Sequence, residues 1–301
     1  MRLAFLGTPE AAVPPLLALV EDGHDVAVVV TRPDRKRGRG GALLPSPVKA
    51  AAVDLGLPVA HSVDAVVDAG VELGVVVAFG QIIKAPVLER VSMVNLHFSL
   101  LPRWRGAAPV ERAILAGDTE TGVCLMALEV GLDTGPVYAC AQLPIGQDDT
   151  AAQLRSRLSE IGTEVLRTRL REGLGDPVEQ EGEPTYAGKI DPAELQLDWA
   201  QPAAHLHRVV RLGRAWTTLD GKRLLVLRAT LGDGDPDGDG VPDDHTAPPD
   251  PGTLDGLVVR CGDGRGLRLD EVQPEGRAAQ PAKAWRNGLR PPPGSAVVLG
   301  R

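Results

Sequence analysis

The chain has 301 residues, 43% hydrophobic and 3% aromatic, enough for one large or two ordinary domains whose cores are filled mainly by Leu, Val and Ala. With 32 Lys/Arg against 40 Asp/Glu, the net charge of −8 argues against indiscriminate nucleic-acid binding but leaves room for a local basic site. No apolar run reaches membrane-spanning length, and Leu3 to Leu6 reads as a first strand and not as the core of a signal peptide. Three widely spaced cysteines, Cys124, Cys140 and Cys261, suggest neither a metal cluster nor a disulfide framework, so a reducing cytoplasm is the expected compartment.

From the N-terminus, Arg2 to Leu6 is a short apolar strand, Gly7 to Glu10 a turn, Ala11 to Val20 an apolar helix and His24 to Val30 a second strand. Strand, helix and strand at this spacing read as a parallel βαβ unit. The turn carries one glycine and not Gly-x-Gly-x-x-Gly, so a nicotinamide dinucleotide is poorly supported. Arg32, Arg35, Lys36, Arg37 and Arg39 then put five cations within eight residues, among glycines that deny regular structure. Such a run is either a solvated loop or a grip on phosphates, and the residues alone divide the two evenly. Pro45-Ser46-Pro47 opens a helix through Asp54, Leu57 to Ala60 is a third strand, and Ser62 to Leu73 is helix-like. Gly74 to Phe79 is a continuous apolar run of the kind buried on both faces of a parallel sheet.

Val94, Leu96 and Phe98 alternate with Asn95 and His97, the period of two that marks a strand. Successive strand side chains point to opposite faces, so Asn95 and His97 share one. Ser99-Leu100-Leu101-Pro102 ends the strand, because proline cannot donate to the ladder. A polar pair at a strand end, beside a rigid turn, is where open α/β sheets hold their chemistry. Pro109 to Ala116 is a helix opened by proline, Thr121 to Glu129 a strand, and Gly131-Leu132-Asp133-Thr134-Gly135 the loop after it. Asn95, His97 and Asp133 suit attack by an amine on a carbonyl-like carbon. Asn95 can donate to an oxygen gaining charge, His97 can pass a proton, and Asp133 can orient the imidazole and take the amine's proton. The same residues also fit a hydrogen-bonded structural pair and a plain Asp-Thr-Gly turn.

Thr150 to Leu170 is a long helix of strong formers, and Gly173 to Pro184 breaks the pattern as a linker. Ala203 to Leu212 is helical. Short strands follow at Leu224 to Ala229, Gly252 to Cys261 and Gly266 to Val272, with turn signals at Asp220-Gly221, Asp255-Gly256 and Asp263-Gly264, and a small β-barrel fits. From His205 to Arg301 there are 14 Lys/Arg and 13 Asp/Glu, but seven of the acids crowd between Asp233 and Asp250, leaving a basic barrel. Asp235-Pro-Asp237-Gly-Asp239-Gly240 echoes a calcium loop, yet prolines interrupt it and no helical pattern flanks it, so an acidic loop is expected there.

Asn95-Leu-His-x-Ser-Leu-Leu-Pro-x-x-Arg-Gly-x-x-Pro, followed by Gly-Leu-Asp133-Thr-Gly, resembles the folate-dependent formyltransferases. The run from Ser99 to Val110 looks like the methionyl-tRNA formyltransferases among them. The resemblance implies a Rossmann-like α/β formyltransferase domain with a mostly parallel sheet over residues 1–185, a bridge over 186–204 and an OB-like tRNA-binding barrel over 205–301. It implies Asn95, His97 and Asp133 as catalytic residues, and Ser99, Leu100, Leu101 and Pro102 around the folate, with Val77 and Phe79 beside the pterin. It also implies that the basic run of Arg32, Arg35, Lys36, Arg37 and Arg39 meets the tRNA acceptor stem. The implied reaction moves the formyl group of the co-substrate 10-formyltetrahydrofolate onto the α-amino group of methionyl initiator tRNA, for translation initiation. A monomeric cytoplasmic enzyme is expected, with no metal or nucleotide cofactor and no membrane partner. A sugar-nucleotide N-formyltransferase would share the catalytic residues and the folate turn without needing the basic run or the basic barrel. A non-catalytic RNA-binding protein would have no reason to keep Asn95, His97 and Asp133 together.

Overall fold

The computed structural model describes residues 1–37, 41–232, 250–290 and 296–300. The chain packs as two compact units, one of Met1–Ala113, Thr119–Ile145 and Gln153–Lys189, the other of Ile114–Asp118, Gly146–Ala152 and Ile190–Arg301.

The first unit opens with the expected parallel βαβ, β1 (Arg2–Gly7), α1 (Val13–Glu21) and β2 (Asp25–Val30). Leu3 to Leu6 are fully buried, as a strand covered on both faces requires. The basic run departs from the sequence reading. β3 (Arg35–Arg37) and β4 (Ala42–Leu44) pair antiparallel, Arg35 opposite Leu44 and Lys36 opposite Leu43. Gly41 enters β4 at φ +65°, a left-handed backbone that glycine adopts freely, so glycine here helps a hairpin form. α2 (Pro47–Asp54) begins where the Ser46 hydroxyl accepts from the Lys49 N–H at 3.0 Å. β5 (Val59–Ala60) pairs with β2. The helix expected over Ser62 to Leu73 contracts to α3 (Ala65–Asp68), because Gly70 turns left-handed at φ +61° and Leu73 already opens β6 (Leu73–Val77).

α4 (Ala85–Leu88), β7 (Met93–His97), β8 (Arg105–Gly106), α5 (Pro109–Ala116), β9 (Glu120–Ala127) and β10 (Val137–Pro144) follow. The sheet order is β10-β9-β7-β6-β1-β2-β5, parallel from β7 through β5, with β9 and β10 antiparallel. The sequence reading has no counterpart to β10, an edge strand of small and polar residues without a clear apolar alternation. After α6 (Ala151–Glu172), the stretch read as a linker returns to the sheet instead. Val178 and Val137 exchange backbone bonds of 2.7 and 2.9 Å, and β11 (Tyr186–Ala187) pairs parallel with β8.

Cys124 on β9 and Cys140 on β10 are register partners and form a disulfide, which overturns the expectation of unpaired cysteines. Without β10, a separation of 16 residues conceals a direct cross-strand pair. Cys261 alone is free, and burial pushes its thiol up to about 12. Cross-links of this kind typically contribute about 2–4 kcal/mol. Cys140→Ser is therefore expected to lower the denaturant midpoint measured without reductant. Dithiothreitol should bring the parent protein down to the variant's midpoint and leave the variant unmoved. Coinciding curves for all samples would show that the bond adds nothing.

The second unit contains α7 (Ala203–Arg211), β12 (Trp216–Leu219), β13 (Lys222–Gly232), β14 (Thr253–Asp255), β15 (Val258–Arg260), β16 (Gly266–Pro274), β17 (Gln280–Pro281), α8 (Ala282–Gly288) and β18 (Val297–Val298). The strand expected over Gly252 to Cys261 is two, β14 and β15, turned at Asp255-Gly256 with Gly256 at φ +53°. The antiparallel order is β12-β13-β16-β15-β14-β18, with β17 beside β16. The Gly300 N–H donates to the Thr218 carbonyl of β12 at 2.8 Å, so the two ends of the sheet approach and the barrel nearly closes. Val226, Val259, Leu267, Leu269 and Val272 fill it, with Leu206 of α7 against them. The acids from Asp233 to Asp244, including the calcium-like run, lie outside the described residues. Among the described residues no helix is long and apolar enough to cross a membrane, and no group of three or more His, Cys, Asp and Glu side chains could hold a metal ion.

Candidate active site

β7 is buried along its whole length and delivers two polar side chains to one face of the sheet. Asn95 lies opposite Met126 and His97 opposite Cys124 on β9; they are 9% and 5% exposed. His97 Nε2 is 2.9 Å from the Trp104 carbonyl oxygen. A carbonyl only accepts, so Nε2 carries the hydrogen and Nδ1 turns toward Asp133, whose Oδ2 lies 3.6 Å away. The same Oδ2 accepts the Gly106 N–H at 2.8 Å.

Asp133 sits at φ +51°, uncommon for a residue with a side chain. The glycines of its motif explain how the loop closes. A Cβ on Gly135 would stand 2.1 Å from the Ala127 carbonyl oxygen, and one on Gly131 would stand 2.1 Å from Thr134 Oγ1. Gly135 therefore needs glycine for space against a backbone oxygen, whereas a Cβ at Gly131 would require the Thr134 side chain to turn away.

The turn after β7 is fixed from a distance. Ser99 is fully buried and its hydroxyl donates to the Arg103 carbonyl; the Leu101–Pro102 peptide is cis. Leu100 lies on Gly122 of β9, where a Cβ would come within 2.4 Å of Leu100 Cδ2. The Trp104 N–H donates to Thr185 Oγ1 at 2.9 Å, the Arg105 N–H to the Thr185 carbonyl at 2.8 Å, and the Ala107 N–H to the Ala187 carbonyl at 2.9 Å. Val178, Gln180, Thr185 and Ala187 are thus part of the site, and sequence reasoning missed them. No local signal marks them: Val178 and Ala187 act through backbone groups, and Gln180 and Thr185 through single polar side chains set in a segment of Gly, Pro and acids.

A cleft of about 450 Å³ opens beside the Asp133 loop, lined by Ala85, Leu88 and Glu89 on one side and Leu128 to Gly131 on the other. The residues expected around the folate are not among the side chains lining this cleft. Ser99, Val77 and Phe79 are buried, and Leu100, Leu101 and Pro102 are half-buried. Phe79 packs in the apolar cluster that Leu88 and Leu128 cover, so it supports the cleft floor.

Of the five basic candidates, Arg35 and Lys36 are exposed on β3, which also carries Arg37. Arg39 falls outside the described residues. Arg32 is half-buried and donates to the Gly80 carbonyl, linking the end of β2 to the segment after β6.

Residues 1–170 match the formyl transferase family and residues 189–290 the formyl transferase C-terminal domain. The methionyl-tRNA formyltransferase of Jannaschia sp. (strain CCS1) is 42% identical over 315 residues, covering 99% of this chain and 100% of the relative. The chain belongs to the methionyl-tRNA formyltransferase family. That of Methylococcus capsulatus is 44% identical over 309 residues, covering 95% and 96%. Among solved structures, a methionyl-tRNA formyltransferase from Clostridium thermocellum matches with a TM-score of 0.60 at 17% identity, covering 78% of this chain and 95% of its own. A sugar 3N-formyl transferase, WlaRD, matches with a TM-score of 0.65 at 17% identity, covering 92% and 99%. At that identity the structures speak for the fold, a Rossmann-like α/β unit with a barrel after it. A methionyl-tRNA formyltransferase moves a one-carbon formyl group from a folate donor to the amino group of methionine carried on tRNA.

Proposed function

We propose that the chain transfers the formyl group of 10-formyltetrahydrofolate to the α-amino group of methionyl initiator tRNA, with Asn95, His97 and Asp133 performing the chemistry. The observation that carries the assignment of roles is the 3.6 Å approach of His97 Nδ1 to Asp133 Oδ2, at a strand end whose buried polar face Asn95 shares. The Asn95 carboxamide donates to the formyl oxygen as that atom gains negative charge. The neutral amine forms the new bond to the formyl carbon and gives up a proton to Asp133. His97 Nδ1, facing that carboxylate, relays a proton to the departing folate nitrogen as its bond to carbon breaks.

The cleft beside the Asp133 loop is open to solvent and carries Glu89 and Glu129, while Ala85, Leu88, Leu128 and Val130 offer an apolar face to a flat ring. The folate surroundings on this reading also include the turn Ser99, Leu100, Leu101 and Pro102, with Val77 and Phe79 beneath. The basic run of Arg32, Arg35, Lys36, Arg37 and Arg39 meets the tRNA acceptor stem, and the basic barrel takes more of the same RNA. The functional division is a catalytic domain over 1–185, a bridge over 186–204 and a tRNA-binding domain over 205–301. The enzyme acts as a monomer on this reading, a single chain supplying all three catalytic side chains. Its place is the cytoplasm, on the ground that charged tRNA is its substrate; the cysteines no longer argue for it.

The test is formyl transfer by the purified chain to methionyl initiator tRNA, methionyl elongator tRNA and an amino-sugar nucleotide. Rapid product formation is expected on the initiator alone. Faster turnover of the sugar nucleotide would sink this reading.

A further inference from the structure

Gln180 occupies the centre of the site's supporting bonds. Its Nε2 donates to the carbonyl of Asp133 at 2.9 Å and to the carbonyl of Gly135 at 2.8 Å, using both amide hydrogens on the loop that carries the carboxylate. Its Oε1 accepts from Arg105 Nε at 3.0 Å and Nη2 at 2.7 Å, the two-pronged fork of a guanidinium. Arg105 precedes Gly106, whose N–H holds the Asp133 carboxylate. The bonds close a ring, from the Asp133 backbone through Gln180 and Arg105 to the Gly106 N–H and back to Asp133 Oδ2. Two residues earlier, Val178 is pinned to Val137, where the chain leaves the loop. Asp133 needs such restraint, because its left-handed backbone is one that a residue with a side chain rarely holds unaided.

We infer that Gln180 is a positioning residue for the transfer reaction, fixing Asp133 so that its carboxylate stays turned toward His97. This rests on the reading of Asp133 as catalytic, and acts through it. An amide presents an acceptor to Arg105 and donors to the loop at once. Glutamate is the informative substitution, because it keeps the acceptor and loses the donors.

The experiment measures kcat and KM for both substrates in Gln180→Ala, Gln180→Glu, Asp133→Ala and the Asp133→Ala/Gln180→Ala pair, with thermal unfolding of each. Misplacing a catalytic group by about 1 Å costs up to about 10²-fold, so Gln180→Ala and Gln180→Glu should each lose about 10- to 100-fold in kcat with KM values little changed. The double variant should be no slower than Asp133→Ala alone, because the two residues act as one unit. If Gln180→Ala unfolds early, Gln180→Glu and its pair with Asp133→Ala carry the test. Parental kcat in Gln180→Glu, or a loss in the double variant that multiplies the single losses, would overturn the positioning role. Unchanged kcat in Asp133→Ala would instead remove the catalytic reading of Asp133 beneath it.

Discussion

Asn95→Ala is expected to lower kcat by about 10²–10³-fold, the usual consequence of removing one donor to a developing oxyanion. KM for the folate should change little, because the donor matters most once the formyl oxygen carries charge. Asn95→Ala removes one small polar side chain from the middle of β7, where Asn95 is 9% exposed, and leaves the backbone ladder of the strand intact. The loss should therefore appear in single-turnover rates and hardly at all in the unfolding midpoint. His97→Ala should also lose turnover, and combining it with Asp133→Ala should cost far less than the product of the two, as groups sharing one proton path do. A parental rate in Asn95→Ala would remove it from the chemistry and leave it a buried polar residue.

Replacing Arg35, Lys36, Arg37 and Arg39 by Ala is expected to raise KM for methionyl-tRNA and to flatten its dependence on salt. Each phosphate left without its cation lowers the magnitude of the log–log salt slope by ~0.7–0.9, so four such phosphates lower it by about 3. Arg35 and Lys36 are exposed, and the backbone pairing of β3 with β4 does not depend on their charge. The hairpin should persist, and formylation of a minimal amine acceptor should survive. The measurement compares parent and quadruple variant on full tRNA across salt concentrations. Superimposable salt curves would mean that the RNA is held elsewhere and that these cations are merely solvated.

The parts legible in the sequence are those whose cause is local. Val94 to Phe98 alternate, so β7 and the shared face of Asn95 and His97 could be read directly. The βαβ start and the opening of α2 at Pro47 are equally local. What was not legible depends on partners far along the chain. β10 lacks an apolar rhythm because it is an edge strand, and with it went the pairing of Cys124 with Cys140. The hairpin at Arg35 exists because Ala42 to Leu44 return beside it, and cation spacing says nothing of that. Gly173 to Pro184 has the composition of a linker, and its bonds to the site run through backbone carbonyls and one amide. The turn after β7 was legible as a rigid Ser-Leu-Leu-Pro segment, but the cleft beside the Asp133 loop is formed by α4 and Leu128 to Gly131, of which Gly131 alone belongs to a motif.

The segment from Val178 to Ala187 also bears on how the site comes into being during synthesis. Its bonds to Arg105 and Trp104 span 75 and 81 residues. All seven strands of the first sheet, and every one of Asn95, His97 and Asp133, precede it in the chain. A ribosome extends the chain at roughly 5–20 residues per second and releases it N-terminus first. The emerging polypeptide can therefore build its sheet with all three reactive side chains present while the Trp104 turn and the Asp133 loop still lack their clamps. On the roles proposed for Asn95, His97 and Asp133, competence for formyl transfer is expected only after Ala187 has left the exit tunnel, which would tie the onset of activity to chain length.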